Sequence, residues 1–159
     1  MADRTPSQTI GPFFHEALRW KDGGKVAPGA SGRRIVLTGR LVDGGGAPVG
    51  DAMVEAWQAD PAGFGRVETA EDGTYRIETA FPAGPAPSID ISIFARGLPK
   101  ALRTRVYLAG EESARADPLM KDLGGSPRLR TLVATPAGEG RFRWDVRLQG
   151  EGETVFFSV

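Results

Sequence analysis

The chain has no cysteine, a single histidine and no excess charge of either sign. Without cysteine there is no disulfide, no thiolate nucleophile and no zinc–thiolate centre. One histidine, His15, cannot supply a site that needs two imidazoles, and a lone imidazole works as a general base only with a positioned partner. Twenty Lys and Arg balance twenty Asp and Glu, so no bulk positive field draws the chain to phosphate backbones or anionic lipid, and neither nucleic acid nor a membrane is an expected partner. No apolar run approaches membrane-spanning length, and the opening MADRTPSQTI lacks the apolar core of a signal peptide; a soluble, cytoplasmic protein is expected. There is also no Gly-x-Ser-x-Gly elbow and no glycine-rich loop closing on Lys-Ser/Thr, which removes the usual serine-hydrolase and nucleotide-phosphate signatures.

What is present is turn chemistry and short alternating runs. Glycine (22) and proline (12) make up about a fifth of the 159 residues, a composition suited to many short strands joined by tight turns. RRIVLTGRLVD (33–43) is rich in β-branched and aliphatic residues and ends in Gly44-Gly45-Gly46, read as a hairpin turn. AMVEAWQA (52–59) stops at DPAG (60–63). GTYRIETAF (73–81) puts Tyr75, Ile77, Thr79 and Phe81 on one face. SIDISIFAR (88–96) alternates with Ile89, Ile91, Ile93 and Ala95 inward and Ser88, Asp90, Ser92, Phe94 and Arg96 outward. RTRVYLA (103–109) is a further strand, and RFRWDVRLQ (141–149) turns Phe142, Trp144, Val146 and Leu148 inward. Helical signals are confined to residues 13–20 and to EESARADPLM (111–120), which Pro118 interrupts. The pattern predicts an all-β fold, a two-sheet antiparallel β-sandwich with short helices and extended terminal arms. One domain is expected, an N-terminal arm over residues 1–32 leading into a sandwich over 33–159, with residues 150–159 wrapping it or reaching a neighbour.

Asp60 and Asp72 stand beside Pro or Gly, where a carboxylate serves its own turn. Glu55 lies within a strand beside Trp57, where a partner arginine or a sheet edge explains it more simply than catalysis. Arg96 ends a strand against Gly97 and reads equally as a solvated group or an anion clamp. Arg128 and Arg130 read as an interface or a solvated strand edge. On the residues alone the chain holds no complete active site.

Four stretches together carry more information: TPSQTIGPFFHEAL at the start, VEAWQADPAGFG, SIFARG, and the closing QGEGETVFFSV. From residue 5 to the C-terminus the chain resembles the alpha subunits of the protocatechuate 3,4-dioxygenases, within the intradiol ring-cleavage dioxygenase family. That resemblance implies a β-sandwich chain working beside a homologous beta subunit. The beta subunit binds Fe(III) with two tyrosinates and two histidines, and protocatechuate and O2 meet there to give 3-carboxy-cis,cis-muconate. Phenolates offset the charge of a ferric ion and imidazoles complete its shell. It implies no catalytic residue and no metal ligand in this chain: Gly65 stands at one ligand-tyrosine position, Ser88 and Asp90 stand at the two histidine positions, and FPAGPAPS (81–88) has no candidate for the second tyrosine. The isolated chain is expected to be inactive. It further implies that the N-terminal segment lines the partner's active site through Thr9, Gly11 and Pro12, with Arg96 meeting the substrate carboxylate and His15 a bystander. The chain is shorter than the alpha subunits it resembles, trimmed after Gly65 and between Pro82 and Ser88. The alternative is a stand-alone β-sandwich binding module derived from the same family without catalysis.

Overall fold

The structure, a computed structural model, describes Thr9, residues 18–123 and residues 125–158. Its strands are β1 (Arg34–Val42), β2 (Met53–Gln58), β3 (Gly63–Glu68), β4 (Thr74–Ala80), β5 (Ser88–Phe94), β6 (Leu102–Tyr107), β7 (Thr135–Pro136), β8 (Arg141–Arg143) and β9 (Val146–Arg147). Between β6 and β7 lie helix α1 (Gly110–Arg115) and two 3-10 turns, Pro118–Leu123 and Pro127–Leu132. One sheet runs β4-β1-β8-β7, with β9 also on β1; the other runs β3-β2-β5-β6. The second sheet is antiparallel throughout, as expected. The first is mixed: β4 is antiparallel to β1, whereas β8 and β9 are parallel to it. The crossover that carries the helical segment returns the chain to β1 running in the same direction, which a hairpin cannot do.

Alternation places the core. Ile35, Leu37 and Leu41 of β1 face Ile89, Ile91 and Ile93 of β5 across the sandwich, joined by Ile77, Val106, Phe142, Trp144 and Val146. Each such side chain contributes about 1.5–3 kcal/mol on leaving water. A second, smaller cluster of Tyr107, Met120, Leu129, Leu132 and Val155 seats the helical segment on the outer side of β6.

Several elements differ from the sequence expectation. The run 141–149 is two strands, because Trp144 N–H donates to the Thr38 carbonyl and Asp145 turns out to accept from Arg40 N–H, yet Phe142, Trp144 and Val146 stay buried. GFGRVE (63–68), for which no strand is expected, is strand β3, paired residue by residue with β2. The helix expected over 111–120 stops at Arg115. Arg128 and Arg130 belong to a 3-10 turn rather than a strand edge: Ser126 Oγ accepts from Arg128 N–H, and Leu129 and Leu132 are fully buried. The C-terminal stretch lies along the chain's own β6, with Phe157 N–H donating to Arg103 O and Thr104 Oγ1 to Val155 O.

Within the expected N-terminal arm, Gly23 to Ala27 closes one side of the sandwich. Val26 N–H donates to Glu78 O, Glu78 N–H to Gly24 O, and Arg66 N–H to Gly23 O, so this strap joins the edge strand of each sheet, and Val26 and Ala27 are buried. Such close contact demands missing side chains. A Cβ on Gly23 would collide with the Arg66 carbonyl, and one on Gly65 would stand 2.7 Å from the Gly23 carbonyl and 2.8 Å from Val26 Cγ2. Gly23→Ala is therefore expected to lower the unfolding free energy by about 1–3 kcal/mol, whereas Gly29→Ala, with nothing near its Cβ, stays within about 0.5 kcal/mol of the parent; urea titration of both variants checks this.

Candidate functional site

The outer face of the β3-β2-β5-β6 sheet carries the chemistry. Register aligns Trp57, Asp90 and Arg105 across β2, β5 and β6, with Ser88 opposite Tyr107 one step along. The Arg105 guanidinium grips Asp90 with both ends, Nε to Oδ1 at 2.6 Å and Nη2 to Oδ2 at 3.1 Å, and sends Nη1 to Asp117 Oδ2 at 2.7 Å. Tyr107, fully buried, donates its hydroxyl to the same Asp117 oxygen at 2.7 Å. Asp117 follows α1 and its Oδ1 accepts from Leu119 N–H at 2.9 Å. Beside this cluster lies a groove of about 310 Å³ walled by Trp57, Pro82, Pro85, Ala86 and Pro118 and floored by Ser88, Asp90 and Arg105.

The charges are fixed by their neighbours. Burial works against ionising Asp117, but hydrogen bonds from Leu119 N–H, Tyr107 and Arg105 outweigh it and hold the carboxyl below its usual value. Burial likewise opposes the Arg105 charge and is outweighed by Asp90 and Asp117, so its pKa rises. Burial, then the bond to Asp117, pushes the Tyr107 phenol up. Tyr75 is also pushed well up, by burial and then by the charge of Asp145, and donates to Trp144 O at 2.6 Å. Both tyrosines of the chain are neutral donors.

The sequence-selected residues divide between two places. Ser88 and Asp90 share the groove. Gly65, aligned with Ala56 and Ile91, faces the opposite way, into the sandwich, and the space its side chain would fill belongs to the strap. Arg96 lies two residues beyond β5, about 26 Å along the strand direction from Ser88. There its neighbours Ala95 and Gly97 meet Thr9, 86 and 88 residues away in sequence: Thr9 Oγ1 donates to Ala95 O and accepts from Gly97 N–H, each at 3.2 Å. Arg96 forms an ion pair with Asp51 through Nε. Gly11, Pro12 and His15 lie outside the described residues. Glu55 has the partner arginine expected for it, Arg66, whose Nε stands 2.8 Å from Oε1. Asp72 caps its own turn at Thr74.

Sequence reading missed Arg105, Tyr107, Asp117 and Asp51. The alternation of RTRVYLA does place Arg103, Arg105 and Tyr107 on one face, but nothing local names Asp117 as their partner. Gln58 of the AWQAD stretch is another such residue. Buried at 5 % exposure, its amide donates to Pro61 O and Ala80 O and accepts from Thr79, tying the β2–β3 turn to the other sheet. A cleft of about 680 Å³ between Trp20, β1, β3 and β4 contains none of the sequence-selected residues. Its arginines are largely neutralised by acids of the same surface, Arg19 by Glu68 and Arg143 by Asp145.

No protein-family profile matches the chain. Among curated proteins it is 37% identical to the protocatechuate 3,4-dioxygenase alpha chain of Pseudomonas putida, over 96% of this chain and 95% of that one, and 37% identical to the alpha chain of Burkholderia cepacia, over 98% of each. The chain belongs to the protocatechuate 3,4-dioxygenase alpha-chain family. The Burkholderia cepacia beta chain is 29% identical over 93% of this chain and 77% of its own length. An intradiol ring-cleavage dioxygenase from Tetranychus urticae shares the fold, with a TM-score of 0.62 at 17% identity over 92% of this chain and 94% of that one.

A ferric ion held as the resemblance gives it in the beta subunit, by two tyrosinates and two histidines, does not fit the residues of this chain. Where the resemblance puts two histidines, this chain has Ser88 and Asp90, the latter with both oxygens on Arg105, and a side chain at position 65 would meet the strap. Among the described residues no three His, Cys, Asp or Glu side chains gather as a metal set.

Arg105→Ala leaves Asp117 facing Asp90 and Tyr107 without a cation, and a loss of about 2–4 kcal/mol in unfolding free energy is expected. Because the Asp117 pKa is lower folded than unfolded, its contribution is present above about pH 4 and is lost as pH falls through the folded value. Asp117→Asn is therefore less stable at neutral pH and shows a flatter stability–pH curve below about pH 4, as denaturant titrations across that range check.

Proposed function

We propose that this chain is the non-ligating alpha subunit of a heteromeric protocatechuate 3,4-dioxygenase, with the iron held by its beta subunit. The reaction is protocatechuate plus O2 giving 3-carboxy-cis,cis-muconate: the bond between the two hydroxylated carbons breaks and both oxygen atoms enter the product. The observation that carries the reading is the Arg105–Asp90 pair, which places a guanidinium against a position where the resemblance puts a metal ligand.

In this reading the alpha chain contributes shape and charge to a shared site. Gly11 permits close backbone approach, Pro12 fixes the course of the segment without an amide donor, and Arg96 draws in the ring carboxylate by charge-assisted hydrogen bonds. The Thr9 bridge beside Arg96 supports it, since it ties the N-terminal segment to the loop that carries the cation. No described helix is long and apolar enough to cross a membrane.

Co-expression with a beta chain tests the reading. The purified assembly is expected to contain iron, absorb visible light through tyrosinate-to-iron charge transfer, and take up O2 with protocatechuate, whereas the alpha chain alone binds no stoichiometric iron and consumes none. Ring cleavage by the isolated, metal-supplied chain refutes it, and a stable monomer that ignores the beta chain favours a stand-alone binding module. Within the assembly, Arg96→Ala is expected to raise KM about tenfold or more for protocatechuate and to leave KM for catechol, which has no carboxylate, nearly unchanged.

A further inference from the structure

Arg96 is not simply an exposed cation at the end of a strand. The antiparallel register of β2 and β5 pairs Met53 with Phe94; carried two residues further, beyond the last ladder pair, it sets Asp51 opposite Arg96. The two side chains meet there, Asp51 Oδ2 on Arg96 Nε, with the aspartate 28% and the arginine 66% exposed. The closest approach is at Nε. Neither terminal nitrogen of Arg96 donates a hydrogen bond to a described residue, and the side chain is two-thirds exposed, which leaves the end-on fork of the guanidinium open to a ligand.

The aspartate stands on a rigid base. Ala52, next to it, is fully buried, donates its N–H to Thr69 Oγ1 at 2.9 Å and accepts from Thr69 N–H at 2.9 Å, while Thr69 Oγ1 donates to Val49 O at 2.7 Å. Gly50 lies so close to Glu71 that a Cβ would stand 2.8 Å from its carbonyl oxygen. The arginine is framed on both sides as well, by buried Ala95 and by Gly97 in the left-handed region at φ +84°, with Thr9 bridging the two.

We infer that Asp51 is the positioning residue for Arg96: it holds the guanidinium by Nε and presents the paired terminal nitrogens to the carboxylate of an aromatic acid. A carboxylate binds such a fork through two parallel hydrogen bonds, and fixing the fork beforehand removes part of the ordering cost. Asp51 itself touches no substrate. The inference rests on the reading of Arg96 as the cationic lining of the shared site.

Steady-state kinetics of the alpha–beta assembly with protocatechuate and catechol test it. Asp51→Asn is expected to raise KM for protocatechuate by up to about fivefold, the range of an exposed ion pair, with kcat and the catechol KM unchanged, and Asp51→Glu restores most of the loss. Arg96→Lys keeps the charge without the fork and raises the protocatechuate KM as well. If Asp51→Asn shifts neither substrate, or both equally, while Arg96→Ala still acts on protocatechuate alone, Asp51 has no positioning role and the reading of Arg96 stands. An Arg96→Lys assembly indistinguishable from the parent also overturns the inference. Arg96→Ala that fails to separate the two diols removes Arg96 from the carboxylate role, and the inference falls with it.

Discussion

One guanidinium organises the outer face of the antiparallel sheet. Arg105 reaches Asp90 on its own sheet and Asp117 on the helical segment above, so a single cation joins two layers that otherwise meet through the small apolar cluster around Tyr107 and Met120. Two carboxylates gathered on one side chain repel each other unless a positive charge stands between them. A fixed arginine supplies it, and its planar fork satisfies both partners with directed hydrogen bonds. The same arrangement sets a guanidinium charge against both oxygens of Asp90, which opposes a second cation there. What makes this region stable also makes it unsuited to ferric chemistry.

The second constraint is spatial. The strap from Gly23 to Ala27 occupies the gap between the edges of the two sheets and consumes hydrogen-bonding groups that edge strands would otherwise expose. It packs that closely only because Gly23, Gly63 and Gly65 lack side chains. Gly65 thus has a structural reason independent of any lost ligand. Filling that position with a large ring means moving the strap, and moving the strap uncovers Val26 and two sheet edges.

How far the sequence reveals this follows from the range of the interactions. Strands with clean alternation, such as β1, β4 and β5, were legible because inward and outward residues are set by a period of two that local sequence carries. β3 was not: no strand is expected over the residues carrying Gly63 and Gly65, and only the strap lying on them makes a strand the lower-energy answer. The parallel placement of β8 and β9 is equally silent in the sequence, since a crossover leaves no local mark on the strand that receives it. At the site, the absence of a ligand set could be counted from one histidine and two tyrosines, whereas the groups that fill the space, Arg105 and Asp117, are joined only by folding. Asp51 and Arg96 are likewise 45 positions apart, and become neighbours once the β2–β5 register is known.

These features place two charged constellations, around Arg105 and around Arg96, toward opposite ends of one sheet, and they differ in exposure. At the β6 end the arginine is closed off: its nitrogens are divided between two carboxylates, it is largely buried, and a ligand anion would have to compete with both. At the Arg96 end the arginine is two-thirds exposed, tethered at Nε and backed by rigid turns. Exposed pairs of this kind contribute about 0–1 kcal/mol to folding, so the fold does not need Arg96 in that position. Stability does not require this cation, and in the proposed reading it is available to a partner outside the chain. The closed arginine serves the fold, and in the proposed reading the open one meets the substrate carboxylate.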